Sequence, residues 1–201
     1  MISATLQSIE QINETVCTFW FKPEQPVEYT AGQFVELFIP HEADDRGTHR
    51  WFTLSSSPSE EFIAITTRKA THQSTFKKLL FSLKPGDTIK VSQAMGDFVL
   101  PMQKSIPIIF LIRGIGITPV RSMLRYLQDG DENRDISIVY SARQSDDLMF
   151  MDLLKTTAMP IDTYESPSNT DAKAPTKKVL EYVKEAPHAR VYVSGPEQFV
   201  E

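Results

Sequence analysis

The stretch IPIIFLIRGIGITP at residues 106–119 decides how the second half of the chain folds. It opens with an uninterrupted apolar run, IPIIFLI, and passes through Gly114-Ile115-Gly116-Ile117-Thr118-Pro119 into the amphipathic segment VRSMLRYLQDG at 120–130. Strand, glycine loop and helix in that order make the context a phosphate site requires. Glycines let a backbone approach an anion closely, Thr118 can cap the helix, and Pro119 suits the first helical position. Free N–H groups and the positive end of the helix dipole then point at a pyrophosphate. Two readings fit the loop: a pyrophosphate cradle built from Gly114, Gly116, Thr118 and Pro119, or a tight strand-to-helix turn that binds nothing.

Toward the C-terminus, DISIVYSA (135–142), IDTYES (161–166), TKKVLEYVKEA (176–186) and ARVYVSG (189–195) continue the series, with SPSNTDAKAP (166–175) as a surface loop. Strands alternating with helices predict a parallel sheet covered by helices. Ser141-Ala142-Arg143 closes the second strand, where dinucleotide folds read the adenosine ribose. An arginine there accommodates a 2′-phosphate, which favours NADPH over NADH. An ordinary surface arginine after a strand explains the same residue.

Toward the N-terminus the pattern changes near residue 104. ATLQSIEQI, VCTFWFKP, QFVELFIP, RWFTLSSSP, EFIAITTR, TIKVSQA and DFVLP are short, rich in β-branched and aromatic residues, and separated by turn residues, as in an antiparallel barrel. One helix interrupts them at 74–84, with Phe76, Leu79, Leu80 and Leu83 on one face. The expected fold is therefore two-domain: an antiparallel β-barrel with one helix over 1–103, then an α/β parallel-sheet nucleotide-binding domain over 104–201.

In RWFTLSSSP (50–58), strand alternation sends Arg50, Phe52 and Leu54 to one face and Trp51, Thr53 and Ser55 to the other. A cation, aromatic rings and the hydroxyls of Thr53, Ser55 and Ser56 gathered together suit a flavin: charge for its pyrophosphate, a ring for its isoalloxazine, hydroxyls for its polar edge. A barrel strand running into a serine turn fits the spacing equally well.

Composition narrows the classes. Among 201 residues, 41% hydrophobic and 23% charged supply material for packed cores. A net charge of −5 without a basic run argues against a nucleic-acid partner. One cysteine and four histidines leave no disulfide and no zinc or iron–sulfur spacing, so no metal site is expected and a reducing cytoplasm fits. The first residues lack the pattern of a signal peptide, and no apolar run is long enough for a membrane span.

The motifs together resemble the ferredoxin–NADP reductase superfamily. RWFTLSSSP is similar to its Arg-x-Tyr-Ser/Thr flavin motif, IRGIGITP to its Gly-Gly-x-Gly-x-Thr-Pro loop, and YVSGPEQFV to its Cys-Gly-Pro-x-x-Met segment. GQFVELFIP, LKPGDTIKV and MGDFVLP also resemble the family's barrel. The resemblance implies that Arg50 holds the FAD pyrophosphate, Phe52 covers a flavin face and Thr53 bonds near flavin N5. Ser74 and Thr75 match the second phosphate contact, while Thr66, Thr67 and Arg68 match the strand edging the flavin. Thr118 would sit by the nicotinamide, Ser141 and Arg143 would take the 2′-phosphate, and Gly195-Pro196 would close the site.

Three departures accompany the resemblance. Phe52 replaces the usual tyrosine, Ser194 stands where many members carry a cysteine beside the transferring hydride, and Arg113 takes the place of the loop's first glycine, where it can clasp the pyrophosphate or obstruct it. Family members also continue through a further helix and strand to an aromatic that shields the flavin, so the chain reads as truncated at its C-terminus or open at its flavin face. The implied function is hydride transfer from NADPH to FAD and onward electron delivery to ferredoxin, flavodoxin, an oxygenase component or free flavin. A flavin reductase or oxygenase reductase component shares every motif; a non-catalytic nucleotide-binding module is the alternative of another class. His49 and His72 lie beside the flavin motifs and read as surface residues.

Overall fold

A computed structural model of the chain describes residues 1–42, 47–158, 160–166 and 173–200. The chain divides into two compact units, Met1–Val99 and Leu100–Glu201.

The first unit contains β1 (Ile2–Gln11), β2 (Val16–Pro23), β3 (Phe34–Phe38), β4 (His49–Thr53), β5 (Ile63–Arg68), α1 (Thr75–Leu80) and β6 (Thr88–Val91). They form an antiparallel six-stranded sheet in the order β4-β3-β6-β1-β2-β5. Curling brings the two end strands together: past β4, the Ser55 amide donates to the Ala64 carbonyl of β5 at 2.8 Å. That contact draws the ends of the sheet toward each other in the manner of the expected barrel, although β4 and β5 form no ladder. Leu6, Phe19, Phe21, Val35, Leu37, Leu54, Ile65 and Val91 fill the interior, with Phe76 and Leu80 added from α1.

Two local expectations are corrected. The helix ends at Leu80 rather than Lys84, because Ser82 and Leu83 bond three residues back, to the Leu79 and Leu80 carbonyls, in a tightening turn before Pro85-Gly86. DFVLP forms no strand, since Gly96 takes φ +105 and the Val99 amide turns onto the Asp97 carbonyl at 2.9 Å.

The second unit contains β7 (Ile108–Arg113), α2 (Ile117–Asp129), β8 (Ile136–Ala142), α3 (Met151–Thr157), β9 (Ile161–Glu165), α4 (Lys173–Glu185), β10 (Arg190–Ser194) and α5 (Glu197–Val200). Its four strands are parallel in the order β10-β7-β8-β9. Ile109, Leu111 and Val139 pack with Val179 and Tyr182 of α4 and Phe199 of α5. α2 buries Val120, Met123, Leu124 and Leu127. The sequence reading had no helix at Met151–Thr157, and it began α4 at Thr176; Lys173–Pro175 belong to that helix, where Pro175 is tolerated because the first turn has no internal N–H partner to lose. Of the expected surface loop, 167–172 lie outside the described residues.

Candidate functional site

In the first unit, β4 and α1 meet around one ring. The guanidinium of Arg50 lies 5.5 Å over the Phe76 ring, and Phe52 stacks on the same ring at 6.0 Å with an interplanar angle of 29°. Arg50 Nη1 donates to the carbonyls of Gly47 (2.9 Å) and His49 (2.7 Å) and the residue is 9% exposed, so its fork is held rather than waving in solvent. Phe76 thereby fixes the strand motif against the start of α1, where the Ser74 hydroxyl accepts from the Lys77 amide at 3.3 Å as N-cap and Thr75 is exposed. Alternation holds as expected: Trp51 points the other way, 72% exposed, with its ring 5.9 Å from Phe34.

The serine turn serves a different purpose from the one its hydroxyls suggest. Ser55 Oγ donates to the Ala64 carbonyl at 3.1 Å and lies 2.8 Å from Thr66 Oγ1, which is itself 2.8 Å from Thr18 Oγ1. Ser56 Oγ accepts from the Ala64 amide at 2.9 Å and pairs with the Tyr29 hydroxyl at 2.8 Å. Ser55, Ser56, Thr66 and Thr67 are all buried. These hydroxyls stitch the end of β4 to β5 and hold half-buried Thr53 in register. Arg68 extends the stitching through Nη1 to Thr15 Oγ1 at 2.9 Å. His49 and His72 are exposed. Two buried atoms, Nε2 of His41 beside Phe76 and Oε1 of Gln73 just before the helix cap, have no hydrogen-bond partner among the described residues. No spacing in the sequence marks either.

In the second unit the strand order reverses at β7: the chain moves outward to β8 and β9, then returns to place β10 on β7's other side. Ligands of open parallel sheets bind outside the carboxyl ends at such a switch point. Here those ends carry Gly114–Gly116 and Ser194-Gly195-Pro196. Gly114 adopts φ +52 with nothing within 4 Å of the position a Cβ would take. Gly116 is limited by space instead, since a Cβ would stand 2.5 Å from the Ser194 carbonyl oxygen and 2.7 Å from the Gly195 nitrogen. The loop and the Ser194-Gly195 segment are thus in backbone contact.

Thr118 is not the helix cap. The chain enters a 3-10 turn at Gly114–Gly116 and α2 begins at Ile117, so buried Thr118 donates back to the Ile115 carbonyl at 3.2 Å and Pro119 is third in the helix. The positive φ of Gly114 starts the winding before the threonine is reached. Arg113 neither clasps nor obstructs an anion with an outward side chain: it is 2% exposed, donates to the Ser166 carbonyl at 2.9 Å and to Ser141 Oγ at 3.4 Å, and lies 5.9 Å over Phe199. Ser141 is sealed in β8, its hydroxyl donating to the Ile112 carbonyl at 3.2 Å, whereas Arg143 two residues on is exposed. The pair expected to act together differs in exposure, because Ser141 lies inside β8 and Arg143 just beyond its end.

Tyr140 escaped the sequence reading because it looks like one more apolar strand residue. Its buried hydroxyl accepts from the Met149 amide at 3.2 Å and lies 3.1 and 3.2 Å from the Gly114 and Asp147 carbonyls, pinning the glycine loop to the segment after β8. Tyr140→Phe leaves these groups under-bonded, at a cost of about 1–3 kcal/mol. We expect thermal denaturation to show a lower melting temperature, and nucleotide titration a weaker affinity. Unchanged values for both would remove the hub role.

Among the described residues there is no cluster of His, Cys, Asp and Glu fit for a metal ion, and no helix is long and apolar enough to cross a membrane.

Comparison with known proteins gives this geometry its class. Residues 3–100 match the oxidoreductase FAD-binding domain family, and 110–201 the oxidoreductase NAD-binding domain family. The residues fit those groups: a held arginine, stacked aromatics and a capped helix start for FAD, and a glycine turn at a switch point for the nucleotide. The chain is thus an FAD-dependent oxidoreductase module that binds a nicotinamide nucleotide. It is 30% identical over 177 residues to a flavohemoprotein of Bacillus cereus, covering 84% of this chain and 44% of that protein. It is 34% identical over 164 residues to the glycine betaine monooxygenase reductase subunit of Pseudomonas aeruginosa, covering 79% and 44% respectively. The chain therefore spans less than half the length of these relatives. Its fold matches the ferredoxin-NADP+ reductase of Plasmodium falciparum with a TM-score of 0.83 at 17% identity, covering 98% of this chain and 86% of that one. The chain belongs to the oxidoreductase FAD-binding and NAD-binding domain families.

Proposed function

We propose that residues 1–103 hold FAD, residues 104–201 hold NADPH in preference to NADH, and hydride passes from the nucleotide to the flavin before electrons leave for a separate acceptor. Bound FAD supplies the hydride-accepting and electron-releasing chemistry. The chain's own part is positioning. Arg50, with Ser74 and Thr75, binds the pyrophosphate; Phe52 lies against the ring system; Thr53 bonds its polar edge; Thr66, Thr67 and Arg68 shape the wall behind it. On the nucleotide side Gly114 and Gly116 admit the pyrophosphate, Thr118 and Pro119 line the start of α2, and Ser194 with Gly195-Pro196 closes over the nicotinamide. Arg143 takes the 2′-phosphate, and Ser141 contributes through Arg113 rather than by contact.

The observation carrying this reading is the backbone contact of Gly116 with Ser194-Gly195 at the strand-order switch, which confines the nucleotide loop and the closing segment to one place. For the acceptor, an oxygenase component is favoured over ferredoxin, flavodoxin or free flavin, because a relative at 34% identity is itself a monooxygenase reductase subunit. Anaerobic addition of NADPH to the FAD-loaded protein should bleach its yellow colour. Protein that stays colourless after FAD is added would instead be a binding module without redox activity.

Arg143→Ala tests the nucleotide preference. Losing one charge-assisted contact should raise the KM for NADPH about 10- to 100-fold and leave that for NADH unchanged. Equal KM values for both nucleotides in the unsubstituted protein would withdraw the role given to Arg143.

A further inference from the structure

We propose that His41 and Gln73 form a pair of acceptors that reads the adenosine half of FAD. The inference rests on the flavin site described above and names contacts that no motif of the chain supplies. His41 Nδ1 is 2.6 Å from the Ile39 carbonyl, which can only accept, so Nδ1 carries a proton and, in that tautomer, Nε2 presents a lone pair. That Nε2 is buried without a partner among the described residues, as is Gln73 Oε1. Buried polar atoms of native proteins are nearly always bonded, so each exception calls for an explanation. The explanation here is a ligand that brings donors.

Their position identifies the ligand's end. The His41 ring packs edge-on to Phe76 at 6.0 Å, on the ring that also carries Arg50 and Phe52, and Gln73 precedes Ser74, the N-cap of the same helix. In the β3/β4 ladder Phe52 pairs with Val35, Arg50 with Leu37, and His49 with Phe38. Moving from Phe52 to Arg50 and onward therefore leads past the end of β3 to His41, at about 3.3 Å per strand residue. With the isoalloxazine at Phe52 and the pyrophosphate at Arg50, the next group in line is the adenosine, whose ribose hydroxyls and exocyclic amine are donors. Gln73 approaches that group from the helix side.

Two substitutions at one position separate the two ring nitrogens. His41→Asn keeps a donor for the Ile39 carbonyl and removes the Nε2 position; His41→Gln reaches the Nε2 position and gives up the Ile39 bond. Flavin-stripped full-length protein is titrated with FAD and with FMN, which lacks adenosine, by fluorescence quenching. His41→Asn and Gln73→Leu should weaken FAD binding about 3- to 10-fold each and leave FMN binding unchanged, and His41→Gln should restore FAD affinity. Because Gln73 Oε1 has no hydrogen-bond partner among the described residues, Gln73→Leu should not lower the melting temperature without flavin but should shrink the rise that FAD produces. Equal losses for FAD and FMN, rescue by Asn rather than Gln, or unchanged FAD affinity would each overturn the proposal. If the unsubstituted protein binds no FAD, the flavin site itself fails; if it binds and the variants match it, only the pair does.

Discussion

Gly116→Ala is expected to unseat the nucleotide site, whereas Gly114→Asn, in the same loop, should be mild. The added methyl at residue 116 would stand 2.5 Å from a backbone carbonyl oxygen, with no flexible side chain available to yield. Forcing atoms into a closed space costs about 1–3 kcal/mol, occasionally more, and in a unit of this size each kcal/mol lowers the melting temperature by roughly 4–8 °C. The displaced segment is Ser194-Gly195 itself, so nucleotide affinity should fall along with stability. At residue 114 the demand is only for positive φ, which Asn meets at modest cost, and the space is open. Calorimetry and nucleotide titration of the two variants decide the matter: a mild Gly116→Ala beside a severe Gly114→Asn would reverse the roles given to the glycines.

The second large effect is at Arg50. Arg50→Ala should weaken FAD binding about 10- to 100-fold, because a charge-assisted bond to phosphate is worth roughly 1.5–3 kcal/mol and the residue also braces Phe76. Arg50→Lys should recover only part of that loss, since an ammonium keeps the charge and loses the planar fork that Gly47, His49 and the ring hold in place. Fluorescence titration with FAD gives the two constants. Full affinity in the alanine variant would place the pyrophosphate elsewhere.

The same strand shows why hydroxyl-rich motifs are ambiguous in one dimension. Ser55, Ser56 and Thr66 read along the sequence as partners for a flavin's polar edge, and each bonds a backbone group or another hydroxyl inside the barrel seam. A buried hydroxyl must find a partner, and the nearest strand supplies it before any ligand arrives. Thr53, at the end of β4, is half-buried rather than sealed into the seam.

Most of the order of elements was legible from residue types alone; the short helices α3 and α5 were not, and DFVLP reads as a strand that does not form. An unbroken apolar run meeting glycines and then a 3.6-residue period has one good solution, a parallel strand entering a helix, and short β-branched segments between turn residues have another, a barrel. Arg50, Phe52, Gly114 and Gly116 stood out as candidates because alternation and glycine spacing are local properties of the chain, whereas Ser74 and Gly195 entered only through the family resemblance.

What only the tertiary structure decided depended on partners distant in sequence. Arg113 turns inward because Ser166 waits just past β9 and Phe199 in α5, and Ser141 is sealed by its place in a central strand. Tyr140 becomes a hub, and His41 stands beside Phe76, only once separate segments converge. Direction and burial of a side chain are set by what packs against it, and the linear order of residues carries no record of those neighbours.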